Sequence, residues 1–132
     1  MARYNVHGGH NRHVPGIISY LDEVTEDRKS SKELQRLLSA EGHTVHDCTD
    51  DSARTQNGNL SNIVKKCNKN TVDLNMSIHL NGCKKAKKDG KVKGVEVWVS
   101  SMSSKAVPYA KRVCAEMAKL GFTNRGVKGC KE

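Results

Sequence analysis

Val72-Asp73-Leu74-Asn75-Met76-Ser77-Ile78-His79-Leu80-Asn81-Gly82, residues 72–82, is the stretch that decides the fold. Its apolar members Val72, Leu74, Met76, Ile78 and Leu80 alternate with polar or small residues, the period-two pattern of a strand buried on one face. His79 falls on the other face, and Asn81-Gly82 ends the strand. A histidine at the end of a strand, next to a turn, is the first candidate for chemistry.

Working outward, Tyr4 to His7 is a short extended segment that runs into Gly8-Gly9-His10-Asn11, with a loop at Pro15-Gly16. From about Asp22 to Ala40 the pattern is helical, with Leu34, Leu37, Leu38 and Glu41 at spacings of three and four, and Gly42 at the C-cap position. Thr44 to Thr49 reads as a second strand and Asp50 to Asn59 as a polar loop. Leu60, Ile63, Val64 and Cys67 form the stripe of a short helix. Downstream, Lys84 to Lys93 holds six lysines and one aspartate, and Val95 to Val99 is apolar again. A last helix is expected with Ser103 or Ser104 as its cap, Pro108 in its first turn, a stripe of Ala106, Ala110, Val113, Met117 and Leu120, and Gly121 at its end. A short tail follows. The expected class is α/β, a mostly parallel mixed sheet flanked by helices, in one domain over residues 1–132.

The composition fits a lean folded domain: 132 residues, 36% hydrophobic and 4% aromatic. Twenty-three Lys and Arg against 14 Asp and Glu give a formal net charge of +9, which favours a polyanionic partner: nucleic acid, an anionic membrane surface or an acidic cell-wall polymer. No apolar run approaches the roughly 18 residues of a membrane span, and the start of the chain lacks an apolar signal-peptide core, so the expectation is a protein made in the cytoplasm. Five singly placed cysteines, without a C-x-x-C pair, argue against a disulfide framework and a Cys-rich zinc finger.

In parallel α/β sheets, function collects at the carboxyl ends of the strands, where His10 and His79 both fall. Two histidines and one carboxylate make a three-ligand zinc site with an open fourth position, the catalytic pattern. Asp22, Glu23, Glu26 and Asp27, at the start of the first helix, are the carboxylate candidates. The helix dipole alone also favours acidic residues there.

These residues carry a resemblance. Val6-His7-Gly8-Gly9-His10-Asn11, Leu21-Asp22-Glu23, Glu41-Gly42-His43-Thr44-Val45, Ser77-Ile78-His79-Leu80-Asn81, Gly94-Val95-Glu96-Val97-Trp98-Val99 and Phe122-Thr123-Asn124-Arg125-Gly126-Val127-Lys128, in that order, resemble the zinc-dependent N-acetylmuramoyl-L-alanine amidases of phage endolysins and bacterial cell-wall and spore-associated hydrolases. The resemblance implies zinc bound by His10, Glu23 and His79, with Glu26 as the lesser alternative to Glu23. It implies hydrolysis of the amide between N-acetylmuramic acid and L-alanine in peptidoglycan, after release to the cell wall. Asn11 and Asn81 are candidates for orienting substrate or ligands.

Family members continue beyond the Asn-Arg-Gly-Val-Lys segment into a strand with a catalytic glutamate. On that comparison the sequence reads as C-terminally shortened, with Glu132 the remaining candidate base, activity reduced, and an unpaired sheet edge open to self-association. The lysine run is expected either as solvated surface or as a contact for anionic wall polymers. Two rival readings are a non-catalytic zinc-containing wall-binding module and a basic nucleic-acid-binding protein on the same scaffold.

Overall fold

The structure is a computed structural model that describes residues 1–82 and 93–130. By its internal contacts the chain falls into two compact units, Met1–Lys84 and Lys85–Glu132. Most of the Lys84–Lys93 run, and Glu132, lie outside the described residues.

The first unit runs β1 (Arg3–Gly8), α1 (Glu23–Ala40), β2 (Thr44–Asp47), α2 (Gln56–Asn68) and β3 (Leu74–Ile78). Its sheet has the order β2-β1-β3, and both pairings are parallel, with Tyr4 opposite Leu74 and Gly8 opposite Ile78. The central strand β1 buries Val6 and Asn5 completely. A buried amide needs partners. Asn5 has them: its Nδ2 donates to the Cys67 carbonyl of α2 and to Asn75 Oδ1 of β3, and its Oδ1 accepts from Asn70.

Helix α1 begins where the sequence reading put it. The Asp22 side chain accepts from the Thr25 N–H as N-cap, and Gly42, at φ +86°, takes the left-handed conformation after the end. Its buried positions are Glu23, Val24, Asp27 and Ser31, while Leu37 is 48% exposed. Of the expected leucine stripe, Leu34 and Leu38 are half-buried and continue that face while Leu37 turns outward, because α1 packs most tightly through its N-terminal half, where polar side chains meet the ends of the strands.

Helix α2 starts earlier than expected, at Gln56, inside the segment read as loop. The Thr55 hydroxyl accepts from the Gly58 N–H and caps it. The preceding loop is organised by buried Asp50, whose carboxylate takes hydrogen bonds from Ser52, Ala53, Asn59 and Asn62. Burial alone would raise the Asp50 pKa; these bonds outweigh it and hold the carboxyl well below its usual range. On α2 Ile63 is buried, but Leu60 and Val64 are about half exposed.

The second unit holds β4 (Val95–Val99), α3 (Val107–Lys119) and β5 (Asn124–Gly129). The segment expected as a tail is thus a strand, paired parallel to β4 with an irregularity between Val95 and Val97. Gly126, at φ +84°, sits in it, and its two glycines and polar residues hide the period-two pattern. Helix α3 has no side-chain cap: the Ser104 hydroxyl accepts from the Ala106 N–H, two residues ahead of the N-cap position, and Pro108 lies in the first turn. Ala110 and Cys114 are its buried residues, whereas Val113 and Leu120 are exposed, so the expected stripe is rotated. All named strand pairings among the described residues are parallel, and no helix there is long and apolar enough to cross a membrane.

Candidate metal centre

The site lies in the first unit, at the carboxyl ends of β1 and β3. Strand β1 stops at Gly8, and the Gly9 N–H donates to the Ile78 carbonyl at 2.9 Å, which keeps the two chain ends side by side beyond the ladder. His10 then adopts φ +53°, left-handed for a residue with a Cβ, at a cost of about 1–3 kcal/mol. Such strain persists only where the surroundings enforce it.

Glu23, the first residue of α1, is 3% exposed. Its Oε2 accepts from the Ile17 N–H at 2.7 Å, and its Oε1 accepts from the Leu80 N–H at 3.0 Å and lies 3.1 Å from His79 Nδ1. His10 Nε2 is 3.8 Å from Oε2. The imidazoles of His10 and His79 meet edge to face, with centroids 5.2 Å apart. One ligand atom from each of the three residues falls within 4.8 Å of the others, so these side chains could hold a metal ion.

The other carboxylate candidates are used elsewhere. Asp22 caps the helix, and Glu26 pairs with Lys29 at 2.9 Å. Asp27 is fully buried against Arg28, and burial pushes its carboxyl up to about 6 despite that partner.

The donor set fits a metal ion: two imidazoles and a carboxylate offer ligand atoms within 4.8 Å of one another, and the buried Nδ1 of His10 has no hydrogen-bond partner. Two glycines make the fit possible. A side chain at Gly9 would strike the His79 ring, and one at Gly16 would strike Glu23 and His10.

Asn11 holds the loop after His10 together. It is fully buried, its Nδ2 donates to the Ala53 carbonyl, and its Oδ1 accepts from the N–H groups of His13 and Val14. No surface is left for substrate. Asn81 is exposed just past β3. His13 is exposed, and His43 accepts from the Ala2 N–H and packs on Tyr4, outside the site. His7 lies beside Ser77, its pKa lowered by burial, and it borders a cleft of about 250 Å³ lined also by His10, His79, Leu60 and Ile63. At His7, Ile63 and Val64 this cleft adjoins a more open depression of about 560 Å³ along α2 and β3. The sequence reading did not find the amides of Ile17 and Leu80, because a backbone donor has no residue signature. Gly16 matters through the space it leaves for Glu23 and His10, which a loop signal does not reveal.

Residues 6–131 match the N-acetylmuramoyl-L-alanine amidase family. Over 124 residues, 93% of this chain, the sequence is 36% identical to an uncharacterised protein of Clostridium perfringens (strain 13 / Type A) and 34% identical to an uncharacterised 38.4 kDa protein of Clostridium perfringens. The chain spans about a third of the length of these relatives, 36% and 35%. Its fold is similar to that of the CwlD amidase from Clostridioides difficile in complex with the GerS lipoprotein, with a TM-score of 0.80 and 18% identity over 98% of this chain and 72% of that one. It is also similar to an N-acetylmuramoyl-L-alanine amidase of Nostoc punctiforme, with a TM-score of 0.77 and 19% identity over 99% of this chain and 70% of that one.

Proposed function

This chain belongs to the N-acetylmuramoyl-L-alanine amidase family, and from that premise we propose that it hydrolyses peptidoglycan at the amide joining N-acetylmuramic acid to L-alanine, using zinc held by His10, Glu23 and His79. The observation that carries this reading is the convergence of those three side chains, from β1, α1 and β3, onto one spot. Zinc, when bound by such a set, lowers the pKa of water towards roughly 7 and polarises a carbonyl.

The chain's own residues prepare that site. The amides of Ile17 and Leu80 hold both oxygens of Glu23, which fixes the carboxylate before any ligand arrives. His79, 44% exposed, marks the open side, while His10 and Glu23 form the floor. The cleft beside them offers Leu60 and Ile63 as an apolar wall, suited to the alanine end of a stem peptide, and the adjoining depression leaves room for the residues beyond. Action at the cell wall and a role in wall lysis belong to the same proposal.

The test is metal content together with release of new amino groups from purified peptidoglycan. One zinc per chain is expected, lost in His79→Ala and Glu23→Ala and kept in Glu26→Ala. Stoichiometric zinc in the His79 variant would refute the ligand assignment. Zinc binding without amine release would refute the hydrolase and favour the wall-binding alternative.

A further inference from the structure

Arg28 lies on α1, five residues after Glu23, and its guanidinium reaches back under the turn that carries His10. Each of its five N–H groups has an acceptor. Nη1 donates to the Gly9 carbonyl at 2.9 Å and to Asp27 Oδ1 at 2.7 Å; Nη2 donates to the His10 carbonyl at 2.6 Å and to Asp51 Oδ1 at 2.7 Å; Nε donates to Asp51 Oδ1 at 3.2 Å. The side chain is 15% exposed, and Gly8 makes the room, since a side chain there would strike the guanidinium and Asp27. One planar group thus joins α1, which supplies Glu23, to two successive carbonyls of the loop that supplies His10.

We propose that Arg28 is a positioning residue for the metal centre, holding the left-handed turn at His10 so that its imidazole faces Glu23. This rests on the reading of His10, Glu23 and His79 as metal ligands. The strained φ of His10 calls for an enforcing contact, and the two carbonyls that flank its N–H and follow its Cα are the ones the guanidinium grips. Lysine cannot replace it: an ammonium has three donors radiating from one point, whereas this pocket presents acceptors on three sides of a plane. None of these five hydrogen bonds goes to a ligand side chain, so Arg28 acts on the ligands through the backbone.

The experiment compares wild type with Arg28→Lys and Asp51→Ala. It measures zinc affinity by chelator competition, the visible absorption bands of the cobalt-substituted protein, and the thermal midpoint of the metal-free protein. Loss of a partner that orients a metal ligand typically weakens metal affinity by about 10- to 100-fold, and that loss is expected for Arg28→Lys, with altered cobalt bands. Asp51→Ala removes two of the five bonds from the exposed end and should give a smaller loss in the same direction. Should Arg28→Lys not fold, Asp51→Ala alone decides. A lowered midpoint with wild-type zinc affinity and unchanged cobalt bands would reduce Arg28 to a structural residue and overturn the proposal. Failure of the wild-type protein to bind zinc would overturn the metal-site reading instead, and with it the premise.

Discussion

Gly16→Ala puts one methyl group against two of the proposed metal ligands at once. The new Cβ would lie 2.6 Å from His10 Cδ2 and 2.7 Å from Glu23 Cδ, and closer still to the Glu23 carboxylate. Ordinary carbon contacts begin near 3.4 Å, so both groups must yield by about 0.7–0.8 Å. Neither moves freely: Glu23 is buried and bonded to the Ile17 and Leu80 amides, and His10 sits in a strained turn. Metal–ligand distances tolerate only about 0.2 Å. The variant should therefore lose zinc affinity at least as severely as the 10- to 100-fold typical of disturbed supporting contacts, and overpacking should cost about 1–3 kcal/mol of stability. Chelator competition gives the first quantity and denaturant unfolding of the metal-free protein the second. Wild-type zinc affinity in a folded Gly16→Ala protein would refute the reasoning, because the ligands would then have to lie elsewhere or move at no cost.

Gly9→Ala should differ in kind. Its methyl would strike the His79 ring, which is 44% exposed and can swing into solvent, so zinc affinity should fall while the unfolding midpoint stays near wild type; a large loss of stability would contradict this. Asp27 supplies a pH dependence. Its folded-state pKa of about 6 lies above its usual 3.8, so the folded protein holds an extra proton between those values, and the stability this confers is present at low pH and lost as pH rises through 6. Relative to Asp27→Asn, the metal-free wild type should lose about 2 kcal/mol between pH 4 and pH 7.5 in denaturant titrations, and parallel profiles would contradict the shift. Cys48, whose thiol is pushed up to about 12 by burial and by Cys67, should resist alkylation at pH 8 while exposed Cys130 reacts; peptide mapping by mass spectrometry checks the order.

The parts of this molecule that were legible in the sequence are those where side-chain chemistry and periodicity coincide. His79 could be assigned to a strand end because its neighbours alternate without a break, and Asp22 could be read as the start of α1 because an acidic cap precedes a helical pattern. Glu23 was singled out from four carboxylates by resemblance to a family; what distinguishes it physically is a pair of backbone amides that no pattern records. β5 escaped notice because Asn124, Gly126 and Gly129 are poor strand formers held by pairing with β4. Asn5, Asn59 and Asp27 are polar, yet they are buried and bonded, whereas Leu60, Val64 and Val113, expected on apolar helix stripes, stand half in solvent. In so polar a chain, hydrogen bonds replace apolar contacts at many interior positions, and hydropathy follows them poorly.

The parallel register of β1 and β3 bears on how this sequence can change through its history. Gly8 faces Ile78, and His79 follows on the outward parity shared with Asn75 and Ser77. A single inserted or deleted codon between Leu74 and Ile78 would reverse that parity and turn the imidazole to the opposite side of the sheet, while every composition measure stayed almost the same. The same change in residues 69–73, ahead of the strand, would be absorbed by the connection, because lengthening a loop costs little. Descendants of this chain should thus differ in length before β3 and almost never within it.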